Sequence, residues 1–158
     1  LNKKSLTLGS GEKFTLKATV EPAKAANKTV KWSTSNKKAA TVTQKGVVSA
    51  QKVKKPTKVT VTAKADGKSA KCTITVKPAP KKISLNAKKK TLKKGKSFQI
   101  KVTLPKNTAS NTIKYKSSNK KVASVSSKGK VKALKKGKAT ITVSTFNKKS
   151  AKIIITVK

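Results

Sequence analysis

The chain has 158 residues and a formal charge of +39, with 42 basic residues, every one of them lysine, against only Glu12, Glu21 and Asp66 and no histidine. Unperturbed lysines titrate near pH ~10.4, so this charge is constant across physiological pH. Without imidazole, His-dependent nucleophilic triads and His/Cys zinc sites are excluded. With Cys72 as the single cysteine there is no intrachain disulfide, and no apolar run approaches the roughly 18 residues of a membrane helix.

A repeat organises what remains. Residues 31–50, KWSTSNKKAATVTQKGVVSA, and 114–133, KYKSSNKKVASVSSKGKVKA, share eleven of twenty positions. The repeat divides the chain into domains 1–78 and 79–158. The first holds 18 lysines against three acids, +15; the second holds 24 lysines and no acid, +24. Paired-carboxylate chemistry is therefore absent from the second half. The chain opens on Leu1, which reads as a piece of a longer polypeptide, with any signal peptide or anchor lying outside it.

In chain order, a short segment around Leu8 precedes KFTLKATV, residues 13–20. There Phe14, Leu16, Ala18 and Val20 alternate with polar residues at the period of a half-buried strand. Val30 and Trp32, Ala40 and Val42, and Val48 and Ala50 continue the pattern, followed by Val59, Val61 and Ala63, then Cys72, Ile74 and Val76. The second half repeats it around Leu92, from Phe98 to Leu104, at Ile113 and Tyr115, Ala123 and Val125, and Val131 and Ala133. It closes with Ala139, Ile141 and Val143, then Ile153, Ile155 and Val157. About seven strands per half and no helical stripe predict an all-β fold of two antiparallel sandwiches. Gly46 and Gly129 mark tight turns, and Asp66-Gly67 is a two-residue hairpin signal replaced by Asn147-Lys148 in the second half. KPAP, Lys77–Pro80, reads as an extended connector.

TLxxGxxF at 7–14 and 91–98, an aromatic before a Ser-rich turn ending in Asn, a glycine turn, V-x-A and an alternating TVT/TIT strand recur in both halves. In this order they resemble the group 2 bacterial immunoglobulin-like domain over nearly the whole chain. The resemblance implies tandem immunoglobulin-like β-sandwich domains of a bacterial cell-surface protein, as in intimin- and invasin-type adhesins or secreted carbohydrate-active enzymes. Such domains serve there as non-catalytic spacers or adhesive modules. Lys37 and Lys120 stand where the family often has proline. KKISLN, 81–86, has no counterpart before Leu1, so the first strand of the first domain is expected to be truncated.

Several fragments imitate other chemistry. Gly67-Lys68-Ser69 and Gly95-Lys96-Ser97 lack the earlier glycine and following helix of a phosphate loop. Leu104–Thr108 departs from a sorting signal at its fourth and fifth positions. Glu12, expected to be exposed, is a poor proton shuttle for a Lys–Asn cross-link. Cys72 reads as a core residue, as do Trp32 and Tyr115, whereas Phe146 beside a hairpin turn reads as exposed.

Lysines at outward strand positions, including Lys13, Lys17, Lys31, Lys71, Lys101, Lys114 and Lys152, have two readings. They solvate the surface and guard strand edges, or they contact a polyanion. Candidate contacts are Lys88, Lys89, Lys90, Lys93, Lys94, Lys96, Lys135, Lys136 and Lys138; no catalytic, cofactor or metal residue is assigned. Expected partners are an anionic cell-wall polymer or a host glycan or protein, bound by a monomeric piece of a larger multidomain protein, extracellular at a Gram-positive surface. The absence of arginine argues against sequence-specific nucleic-acid recognition.

Overall fold

The computed structural model describes residues 1–22, 27–109 and 112–158. Among them all helix-or-strand structure is strand, in sixteen segments, as the unbroken alternation of β-branched and polar residues demands. Two compact units result, one built on Leu1–Ala79 and one on Pro80–Lys106 with Thr112–Lys158.

In the first unit β1 (Ser5–Gly9), β7 (Lys68–Lys77), β6 (Thr57–Ala65) and β3 (Lys31–Thr34) form one sheet in that order. Strands β2 (Lys13–Thr15), β5 (Val47–Ala50) and β4 (Ala40–Val42) form the other. Leu8, Leu16, Trp32, Val48, Val61 and Ile74 pack between them with Cys72, which is wholly buried. The second unit repeats this with β12 (Ile113–Ser117), β15 (Gly137–Thr145), β16 (Ser150–Val157) and β9 (Lys89–Leu92) against β10 (Ser97–Gln99), β14 (Lys130–Ala133) and β13 (Ala123–Val125). It adds the short pair β8 (Ser84–Leu85) and β11 (Val102–Thr103). Its core is Leu92, Ile100, Val131, Ile141, Ile153 and Ile155 with their neighbours.

Three sequence expectations are corrected. The sandwiches are not wholly antiparallel: β1 runs parallel to β7 and β9 parallel to β16. Alternation reports which face a side chain takes and is silent on strand direction, and both pairs join strands far apart in sequence. The run 13–20 is a strand only over Lys13–Thr15, because the chain changes partner there. Phe14 pairs with Val48, whereas the Lys17 N–H donates to Asn2 Oδ1 (2.9 Å) and the Lys17 carbonyl accepts the Asn2 N–H (3.0 Å). Asn86 and Lys101 repeat that clasp at 3.0 and 3.2 Å. The third correction concerns the hairpins. Asp66-Gly67 is a two-residue loop with both φ values positive, between paired Ala65 and Lys68. The loop of the second unit has three residues, Phe146 to Lys148, closed by a Thr145 N–H to Lys149 carbonyl bond of 2.9 Å, with Lys148 at φ 63°. No glycine is present there, so the positive φ falls on a single residue.

The repeated Asn36 and Asn119 shape the Ser-rich turns. Asn36 Oδ1 accepts the Lys38 N–H (3.0 Å) and its carbonyl accepts the Ala40 N–H (3.0 Å); Asn119 does the same for Lys121 (3.1 Å) and Ala123 (3.0 Å). Buried Ser117 donates to the Ala123 carbonyl at 2.6 Å, tying the turn to the core.

Candidate functional site

The lysines that TLxxGxxF carries converge with those of another loop. In the second unit the turn after β9 is closed by the Lys96 N–H on the Lys93 carbonyl (3.1 Å). It is joined to the end of β14 by the Gly95 N–H on the Ala133 carbonyl (2.8 Å) and the Ala133 N–H on the Lys96 carbonyl (2.9 Å). The chain then passes through Lys135 and Lys136 and enters β15 at Gly137, opposite Val157. Lys94 donates its N–H to the Lys158 carbonyl (3.1 Å), and Lys158 donates to Leu92 (3.0 Å). Lys93, Lys94, Lys96, Lys135, Lys136 and Lys158 therefore share one end of this sandwich, all exposed. Lys158 belongs to the group, although sequence reading does not single it out; its proximity arises from the parallel pairing of β16 with β9.

Lys138 lies one residue inward, opposite Thr156. Lys88, Lys89 and Lys90 run away along the β9 edge; they are exposed but do not join the cluster. Lys90 instead places its ammonium over the Phe98 ring, 5.4 Å from the centroid.

The first unit has the same backbone here with different chemistry. The equivalent turn is Gly9-Ser10-Gly11-Glu12, and Glu12 Oε2 accepts the Gly9 N–H at 2.7 Å. Glu12 is thus half-buried and not exposed as expected, because the carboxylate folds back to cap its own turn. Phe146 is also half-buried, its turn held by the Asn147 amide donating to the Pro80 carbonyl (2.9 Å).

Burial raises the Cys72 thiol above its ordinary value and the Tyr115 hydroxyl likewise, since each would ionise in a poorly solvated setting. A thiol so placed is a packing group. Trp32 is buried and Tyr115 half-buried against the core. Each ring lies on its unit's turn glycine: a Cβ on Gly46 would stand 3.0 Å from Trp32 Cζ2, and one on Gly129 2.8 Å from Tyr115 Cε1. Among the described residues no group of three or more His, Cys, Asp or Glu is placed to hold a metal, and no helix is long and apolar enough to cross a membrane. The chemistry this surface offers is multivalent cationic attraction.

A family model described as bacterial Ig-like domain (group 2) matches residues 1–74 and again 79–157. The chain belongs to that family, as a tandem pair. Group 2 Ig-like domains are a non-catalytic domain family. Kappa-carrageenase of Pseudoalteromonas carrageenovora is 52% identical over 67 residues, 42% of this chain and 17% of that protein. An uncharacterised protein of Clostridium acetobutylicum is 34% identical over 129 residues, 81% of this chain and 13% of its own length. The tandem therefore spans less than a fifth of either curated relative. Among solved structures, domains 4 and 5 of the S-layer protein SbsC match over 92% of this chain and 78% of that one, at 24% identity and a TM-score of 0.42. A C-terminal fragment of intimin, solved with the intimin-binding domain of its translocated receptor, matches over 87% of this chain and 55% of the fragment, at 16% identity and a TM-score of 0.40.

Proposed function

We propose that this Ig-like tandem is a non-catalytic extracellular module of a bacterial cell-surface protein, acting as a spacer or stalk or in cell adhesion, with a Gram-positive cell wall as its setting. The observation that carries the reading is that each unit is a sandwich with its own buried core and lysine at outward strand positions, while the chain's single thiol, Cys72, is buried in the first. Such a surface keeps an array soluble and its strand edges unpaired.

A second reading rests on the contrast between the two turns. Where the first unit caps its turn with Glu12, the second offers Lys93, Lys94 and Lys96 beside Lys135 and Lys136. That end is an electrostatic contact for an anionic wall polymer or acidic glycan. Lysine meets phosphate or carboxylate as a point charge, so such binding is broad and falls steeply with salt. The identity with kappa-carrageenase supports a third role, as an accessory module of a secreted carbohydrate-active enzyme.

Binding of the purified tandem to isolated Gram-positive walls, with and without teichoic acids and across a salt series, separates the first two. Heparin, DNA and a neutral glycan serve as comparison ligands. Binding that requires the anionic polymer, collapses with salt and is lost on changing Lys93, Lys94, Lys96, Lys135 and Lys136 to Gln establishes the electrostatic contact. No binding at low salt leaves the lysines as solvation.

A further inference from the structure

We infer that the outer face of the second unit's four-stranded sheet carries a binding site for an anionic amphiphile, an acidic head on an aliphatic chain, distinct from the lysine-rich end described above. Strand register assembles the site. Ile154 on β16 stands between Lys89 on β9 and Thr140 on β15, one row across the sheet. Cross-strand partners share a face, as do residues two apart on one strand, so Lys152 joins them, while Ile153 and Ile155 are buried in the core. With Ile83 and Leu85 from the segment leading into β9, these residues line a groove of about 560 Å³. Ile154, 38% exposed, is the large apolar side chain left in solvent among the described residues.

The fold does not require this arrangement. In the first unit the same row reads Ser5, Thr73 and Thr60, with Lys71 in the place of Lys152. The second unit has exchanged two of those three hydroxyls, one for the isoleucine and one for the lysine beside it. A single exposed isoleucine is ordinary on a protein surface. This one sits at the centre of an aliphatic groove with an ammonium-bearing residue on two sides.

That combination defines the ligand. Neighbouring strands stand about 4.8 Å apart and residues two apart on a strand about 6.6 Å, so the long side chains of Lys89 and Lys152 can reach one anion over Ile154. An aliphatic chain laid on Ile154, Leu85 and Ile83 leaves water while its head meets both ammoniums, which satisfies the apolar and the charged half of the site together. Lysine acts as a point charge, so a carboxylate or a phosphate head serves equally. Besides the lysines, the polar side chains of the lining are Ser84 and Thr140, too few to match the hydroxyls of a sugar ring. A second copy of this chain, at +39, is repelled.

The test uses the whole tandem, ¹⁵N-labelled, at about 150 mM NaCl, where charges farther apart than about 8 Å are screened. The probes are octyl phosphate, butyl phosphate, inorganic phosphate and octylamine, each below its micelle concentration. Octyl phosphate should shift amides centred on Lys89 and Lys152–Ile154. Its affinity should be about tenfold above butyl phosphate, the worth of four methylenes half-buried in an open groove. Inorganic phosphate should give small shifts spread over the lysine surface, and octylamine none at the site. Ile154→Thr, the residue the first unit folds with, should remove most of the tenfold advantage, whereas Lys89→Ser should weaken both alkyl phosphates together and keep their ratio. Equal affinity for the two alkyl phosphates, an unchanged ratio in Ile154→Thr, unchanged affinity in Lys89→Ser or octylamine shifting the same amides would each overturn the inference. Vesicles of phosphatidylglycerol in phosphatidylcholine separate the two sources of such a ligand. Co-sedimentation weakened by Ile154→Thr assigns the site to a bilayer lipid, and co-sedimentation that is absent or unchanged assigns it to a free amphiphile.

Discussion

Gly46→Ala tests whether the turn glycine is held by the ring beneath it. Gly46 has φ +75°, a conformation that costs an L residue about 1–2 kcal/mol. Its added Cβ would also meet the Leu16 carbonyl oxygen and stand 3.0 Å from Trp32 Cζ2. Relief requires moving a strand or the buried ring, and overpacking of this kind costs about 1–3 kcal/mol. The Gly46 carbonyl accepts the Leu16 N–H at 2.9 Å, so the same movement endangers a bond worth about 1 kcal/mol. The sum, about 3–6 kcal/mol, is a large share of the roughly 4–12 kcal/mol available to a domain of this size. Gly67 provides the control: its φ is +74° and its Cβ would meet nothing within 4 Å, leaving only the conformational cost of about 1–2 kcal/mol. Trp32, the single tryptophan, lies in the first unit, so its emission during thermal unfolding at fixed NaCl reports that unit alone. At about 4–8 °C per kcal/mol, the two variants should differ in melting temperature by more than about 8 °C. Equal losses in the two would refute the steric argument and leave backbone conformation as the whole effect.

The remaining predictions probe charge, burial and one hydrogen bond. Melting temperature should rise with NaCl as the Debye length falls from about 10 Å at 0.1 M to about 3 Å at 1 M, and more for the second unit at +24 than for the first at +15. A flat or falling trend by calorimetry would remove self-repulsion as a significant cost. Cys72 should resist a thiol reagent in the native state and react on unfolding. Because burial raises its folded value above the ordinary 9.0, the unfolded chain loses the proton first. The stability it contributes is present below pH 9 and lost as pH rises beyond it, so the difference between wild type and Cys72→Ala should narrow above that pH; a constant difference would contradict the sign. Ser117→Ala should destabilise the second unit by about 1–3 kcal/mol, since it leaves the Ala123 carbonyl without its 2.6 Å donor. A loss under about 0.5 kcal/mol by Tyr115 fluorescence would show that water replaces the hydroxyl.

Most of the fold was legible because burial alternates along each strand, and alternation is a property of sequence. Val59, Val61 and Ala63 face inward for the same reason that Thr60 and Thr62 do not. What was not legible depends on where strands meet. The parallel pairing of β1 with β7 leaves no local trace, and neither does the break in 13–20, which is set by Asn2, fifteen residues from Lys17. A signal for that clasp did exist: Leu-Asn recurs at 1–2 and 85–86, at the offset of 84 that also relates Phe14 to Phe98. The lysine-rich end was half legible. Lys93, Lys94 and Lys96 share a run, but their meeting with Lys135, Lys136 and Lys158 comes from two strand pairings.

The two units show which features the fold requires and which are free to change. Core positions exchange like for like: Leu16 with Ile100, Val48 with Val131 and Ile74 with Ile155 are buried in both. Edge positions do not. Leu6 on β1 pairs with Ile74 and packs on the core, whereas its counterpart Lys90 on β9 pairs with Ile155 and caps the sandwich with an ammonium over Phe98. An inward lysine at an edge forgoes apolar burial of about 1.5–3 kcal/mol and gains a cation–π contact of about 0.5–1 kcal/mol. Packing alone does not favour that exchange, and edge protection does, because a charge turned inward prevents a second sheet from docking there. The same strand ends in the turn that gathers Lys93, Lys94 and Lys96. The second unit has thus shifted one edge from apolar packing toward a charged, accessible surface while its core stayed as in the first.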